Sequence, residues 1–242
     1  MAVVVWVFAG GGEAEVRGLI PFLQQNFPNC RFERKTPIRQ KPGPKPNKAA
    51  SYGKTGQSLI EQITRELPIA LNNTKQICQL ILVIDDLDCR DSEQQKQTFL
   101  QAISSIQESP EINNIDKFVG FSAPEIEAWI IADWDNSIGK HPDFRSRHQR
   151  MRHWLSTEKK VPFNAPESFS EYDSERDCCQ DKLSELLIES TRFYEDRERK
   201  LTIFSKSLHT SQLLWLINPK IIQQKCPLFR ELYNHLNNLN QT

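Results

Sequence analysis

Residues 78–91 read C-Q-L-I-L-V-I-D-D-L-D-C-R-D, and the fold turns on them. Leu80, Ile81, Leu82, Val83 and Ile84 form a nearly unbroken apolar run, the pattern of a strand buried on both faces of a parallel sheet. The run stops in acid, with Asp85, Asp86, Asp88 and Asp91 crowded where the strand should leave its sheet. Open α/β sheets bind ligands beyond the carboxyl ends of their strands. Clustered carboxylates repel one another unless a cation sits among them, and magnesium takes one or two carboxylates together with waters and substrate phosphates.

Working outward, Ala2 to Phe8 is a second buried-strand pattern, followed by Gly10-Gly11-Gly12 and by Val16, Leu19, Ile20, Leu23 and Phe27 at helical spacing. Pro21 falls inside that helix and should kink it or mark where it is weakest. Arg31 to Lys35 reads as a strand, and Leu59, Ile60, Ile63, Leu67 and Ala70 as a helix leading into the central strand. Ser92 followed by Gln95 is a capping-box signal for a helix carrying Phe99, Leu100, Ile103 and Ile106, with Asp91 as the other cap candidate. Lys117 to Ser122 is a fourth strand, and Pro124 is placed to open a helix. The alternation predicts an α/β domain, a parallel sheet flanked by helices, over residues 1–135. Residues 136–242 read as an irregular basic segment and a helical extension packed on that domain, without further strands.

Lys plus Arg number 31 and Asp plus Glu 31, so net charge selects no class of partner and any electrostatic footprint has to be local. Two such footprints exist: a proline-rich loop with Arg39, Lys41, Lys45, Lys48 and Lys54, and a cluster around Arg150 and Arg152 in which His and Trp interleave with Arg. Both have the composition of a nucleic-acid surface. The 6 cysteines show no C-x-x-C pair and no zinc-like spacing with histidine, and they read as reduced thiols of a cytoplasmic protein. No apolar run approaches the roughly 20 residues that cross a bilayer.

Two nucleotide motifs fail on inspection. The third glycine of G-x-G-x-x-G would fall at Glu15, and Glu13 and Glu15 would repel a pyrophosphate. Gly53-Lys54-Thr55 has the end of a P-loop, but Lys48 stands where the leading glycine should be. Glu125 and Glu127 fit the first turn of a helix, where the dipole favours acids, as well as they fit a site. Lys206 and His209, three residues apart, would share a helical face.

Taken in order, the N-terminal strand with its glycine turn, D-L-D-C at 86–89, P-E-I-E-A-W-I-I-A-D at 124–133, F-S-K-S-L-H at 204–209 and I-N-P-K-I-I-Q-Q-K-C-P-L-F at 217–229 resemble the bacterial domain-of-unknown-function family 4276, a relative of Toprim domains. The resemblance runs from Val4 to Leu236. It implies a Toprim-like Rossmannoid sheet and a Mg2+- or Mn2+-dependent nuclease acting on DNA or RNA. It also implies an ABC- or AAA-type ATPase partner in an anti-phage module. The D-x-D of Toprim domains maps onto Asp86 and Asp88, whereas the glutamate they carry after the first strand falls on Ala9. Glu13 or Glu127 is then expected to complete the metal cluster or handle the proton, with Lys206 and His209 contacting phosphate. The alternative implied by Ala9 is a catalytically degenerate, nucleic-acid-binding or regulatory subunit.

Overall fold

The computed structural model describes residues 2–36, 56–73, 78–106, 112, 114–192 and 202–241. Strands β1 (Val3–Ala9), β2 (Cys30–Thr36), β3 (Leu80–Asp86) and β4 (Asp116–Ser122) form one sheet in the order β2-β1-β3-β4, every neighbouring pair parallel. Helices α1 (Glu13–Asn26), α2 (Gln57–Asn73) and α3 (Ser92–Ser104) alternate with them. The chain moves from β1 outward to β2 and then crosses back to β3 on the other side. The carboxyl ends of β1 and β3 therefore flank the topological switch point, the crevice where α/β sheets hold ligands.

Period-2 alternation sends each strand's residues to two separate cores. Trp6, Phe8, Ile81 and Val83 pack with Leu59 and Ile63 of α2 and Phe99 and Ile103 of α3. Val5, Val7, Leu82 and Ile84 pack with Leu19 and Phe22 of α1 and with residues from the second half of the chain, among them Trp129, Leu213 and Phe229.

That second half contributes α4 (Glu127–Ala132), α5 (His148–Thr157), a 3-10 turn (Pro166–Ser168), a hairpin of β5 (Tyr172–Asp173) and β6 (Cys178–Cys179), α6 (Leu183–Arg192), α7 (Lys206–Leu216), α8 (Pro219–Lys225) and α9 (Pro227–Gln241). Helix α7 crosses α1 where Gly18 lets the backbones meet: a Cβ there would lie 2.6 Å from Ser211 Cα. Helix α9 lies along the edge strand β4, and its first N–H groups, those of Leu228 and Phe229, donate to Glu167 at 2.9 and 3.1 Å. Burial pushes the Glu167 carboxyl up to about 7.

Several expectations need correction. The basic stretch before residue 173 is not wholly irregular, because α5 buries Met151, Trp154 and Leu155 on one side. Strand pairing does recur after β4, in the hairpin β5–β6. Asp91, not Ser92, caps α3, accepting from Gln94 N at 2.7 Å. Regular helix begins at Glu127 and not at Pro124, and the N–H of Ile126 just ahead of it donates to Asp86. Cys89 and Cys179 are joined in a disulfide, so the expectation of six reduced thiols fails for these two. Among the described residues, no helix is long and apolar enough to cross a membrane.

Candidate functional site

The end of β3 carries consecutive acids that the pleat sends to opposite faces. Asp85 turns toward α2 and is 3% exposed. Its Oδ2 accepts from Gly56 N at 2.7 Å, while Oδ1 is buried without a hydrogen-bond partner among the described residues. Burial pushes this carboxyl up to about 7, with the Gly56 N–H opposing the shift. Asp86 turns the other way, accepting from Ser122 Oγ at 2.6 Å and from Ile126 N at 3.0 Å through Oδ1. Its Oδ2 lies 3.9 Å from Lys206 Nζ. Asp88 sits in the turn beyond, at φ 50°, with Oδ2 3.4 Å from Arg90 Nη1. Burial raises its pKa, and Arg90 opposes the rise.

Lys206 is the hub. Its ammonium lies 3.4 Å from Glu125 Oε1 and 3.4 Å from Glu127 Oε2, in addition to Asp86. Glu127 is fully buried and its Oε1 accepts from Thr210 Oγ1 at 2.9 Å, one helical turn beyond Lys206 on α7. Glu125, 4% exposed, accepts from Ser184 N and Ser184 Oγ, both at 3.0 Å, and so holds the start of α6. Lysine is the wrong charge for the first residue of a helix, where the dipole is positive. Carboxylates from β3 and from the approach to α4 offset that cost, and in turn they fix where α7 begins.

Three carboxylates and one ammonium leave a formal surplus of two negative charges. The three carboxylates present oxygen atoms to Lys206, the donor type that a hard divalent cation takes. No group of three metal-ligating side chains is assembled as a ready cage among the described residues. The three carboxylates are gathered round the Lys206 ammonium, which stands where a cation among them would stand.

The other expected site residues divide by location. Asp86, Glu127 and Lys206 are brought together, whereas Asp88 faces Arg90. His209 is fully buried and turned from the acids: Nδ1 accepts from Ser205 N at 2.8 Å, and Nε2 lies 3.3 Å from Asp143 Oδ2. It packs against Phe144 and Phe204, and burial lowers its pKa. Its place is behind the start of α7, where it tethers the residue preceding Lys206. Arg150 is exposed on α5; Arg152 pairs with Asp135 at 3.3 Å and lies over the Phe163 ring. Arg39, Lys41, Lys45, Lys48 and Lys54 lie outside the described residues, as does the side chain of Glu13.

Sequence reasoning underrated Glu125 and missed Ser184 and Thr210. Glu125 and Glu127 are two apart, a spacing that separates side chains on a helix. They converge only because Glu125 precedes the helix. Comparison of the chain with family models, with curated proteins and with solved structures finds no match.

Proposed function

We propose that this chain is a Toprim-type, Mg2+- or Mn2+-dependent nuclease that cuts nucleic-acid phosphodiesters, working with an ATPase partner in a bacterial defence module. The observation that carries the reading is the convergence of Asp86, Glu125 and Glu127 on Lys206 beside the switch point of the sheet. Asp86, oriented by Ser122 and the Ile126 N–H, together with Glu125 and Glu127 would hold the cation. Bound there, a divalent ion supplies charge neutralisation for a phosphate and lowers the pKa of water. Lys206 at the N-terminus of α7 offers an ammonium and a helix dipole to the same phosphate. Thr210 and Ser184 keep the two glutamates in place when that ammonium turns toward substrate.

The test incubates the protein with single-stranded DNA, duplex DNA and transfer RNA, with Mn2+ or Mg2+ against EDTA, beside Asp86→Asn. Cutting that needs metal and is lost in the variant supports the reading and identifies the substrate class; equal cutting by Asp86→Asn ends it. A second reading, a non-catalytic regulatory subunit of the ATPase partner, draws on the same cluster, because Lys206 already provides counter-charge. Absence of both cutting and calorimetric Mn2+ binding favours that second reading.

A further inference from the structure

The turn that follows the acidic strand is held from outside the sheet. Asp88 and Cys89 are consecutive non-glycine residues in the left-handed region, at φ 50° and 61°. Such residues are costly and persist only where surrounding contacts over-determine them. Here the contacts are Asp88 N to Pro124 O at 3.0 Å, Arg90 N to Leu87 O at 3.0 Å, and the bond from Cys89 to Cys179 on β6.

The hairpin at the other end of that bond has two-residue strands, too short to hold a position alone. Arg90 completes the clasp. Its Nε is 3.0 Å from Asp177 Oδ1 and its Nη2 3.1 Å from Asp177 Oδ2, while Nη1 faces Asp88. Tyr172 Oη donates to the same Asp177 at 2.9 Å. The hairpin therefore aims a guanidinium at an acid two residues from Asp86.

Cys178, next to Cys179, is a free thiol. Neighbours on a strand face opposite ways, and only Cys179 points inward to Cys89. Cys89 is partly exposed, whereas Cys179 is 2% exposed, so Cys89 is the residue of the pair on the solvent side.

We propose that Cys89 and Cys179 form a thiol–disulfide exchange site, with a dithiol as reductant and a low-molecular-weight disulfide as oxidant, and that its redox state sets the position of Asp88 and Arg90 beside the acidic cluster. In reduction, one thiolate of the dithiol attacks Cys89 Sγ, the Cys89–Cys179 bond breaks, and Cys179 leaves as a thiolate that takes a proton from water. The second reductant thiolate then attacks the sulfur of its own chain in the mixed disulfide and releases Cys89. Two electrons pass to the protein, and the reductant ends as its disulfide; oxidation reverses each step. The regulatory half rests on the function proposed above, whereas the grip of the disulfide on the loop does not.

The test uses the full chain, oxidised with glutathione disulfide or reduced with dithiothreitol, with Cys89→Ser and Cys178→Ser alongside. Alkylation under denaturing conditions should label four thiols in the oxidised protein and all six after reduction. Hydrogen exchange at the amides of Leu87, Asp88 and Arg90 should quicken about tenfold or more on reduction and in Cys89→Ser, equivalent to about 1.4 kcal/mol. Cys178→Ser should match the oxidised protein. Six labelled thiols after oxidation, or exchange rates indifferent to reduction, would overturn the clasp. Mn2+ affinity should differ by about threefold or more between the redox states, which is about 0.6 kcal/mol or more; equal affinities remove the regulatory claim. Absence of Mn2+ binding in both states counts against the function proposed for the site, and the exchange rates then judge the clasp on its own.

Discussion

Asp85 and Asp86 are adjacent in the chain and belong to different halves of the molecule. The face that receives Asp85 is built by α2 and α3, helices that directly precede and follow β3. The face that receives Asp86 is built by α1 and by elements drawn from as far as α9. On the near side, the acid meets one backbone N–H and a dry wall. On the far side, it meets a hydroxyl, an N–H and an ammonium delivered by a helix that begins 120 residues later, at Lys206. Identical side chains thus acquire opposite roles, one a buried titrating group and the other part of a polar cluster, because chain connectivity differs across the sheet.

The widest gap between the two should appear in activity. Asp86→Asn is expected to lower metal-dependent cleavage by about 100-fold or more, the scale of removing one group that acts on developing charge. Asp85→Asn should leave the rate within about threefold, since that side chain faces α2. Comparable losses in both variants would erase the distinction between the faces.

Lys206→Met probes the far side without touching a carboxylate. Removing one partner of a buried ionic group costs about 3–5 kcal/mol, and the partial exposure of Lys206 reduces this to about 2 kcal/mol. If the surplus charge is a cation's place, Mn2+ should raise the melting temperature of the variant more than that of the parent. Equal Mn2+ shifts would show that removing the ammonium opens no cation site among these carboxylates.

Gly18→Ala tests the packing that carries α7 to the site. The added Cβ would lie 2.6 Å from Ser211 Cα and 2.9 Å from Ser211 O, so α1 and α7 must separate. Destabilisation of about 1–3 kcal/mol is expected from chemical denaturation. An unchanged midpoint would mean that the crossing is loose.

A further effect belongs to the near side and depends on pH. Burial raises the Asp85 pKa from 3.8 to about 7, so the folded chain holds this proton more tightly than the unfolded chain. Stability from this group is greatest below the unfolded value, falls as pH rises through the interval, and is flat above the folded value. Asp85→Asn should remove that slope. Its melting temperature should match the parent near pH 4 and exceed it by about 10 °C near pH 8. A gap independent of pH would exclude ionisation of Asp85 as the cause.

Particular residues show how far the sequence was legible. Leu80 to Ile84 announced the central strand, and the four strands of the parallel sheet fell where alternation placed them. Asp86, Glu127 and Lys206 were each visible as candidates, and the resemblance put them in one site, but the direct pairing of Lys206 with the acids was not legible. His209 was legible only as a neighbour of Lys206 on one helix, and its burial against Phe144 and Phe204 depends on segments far away in the chain. The basic stretch around Arg150 hid the buried side of α5 because three apolar residues at helical spacing were outnumbered by charge.

What the sequence determined by itself was local: buried strands, amphipathic helices, a helix cap within one residue, and a crowd of acids at a strand end. Short-range sterics and apolar periodicity dictate these, and neither needs a distant partner. The tertiary structure alone decided that Asp86 and Asp85 part company, that Glu125 joins Lys206 across 81 residues, and that Cys89 reaches Cys179 across 90. Those contacts depend on which helices cover which face of the sheet, and that is settled by the packing of the whole chain.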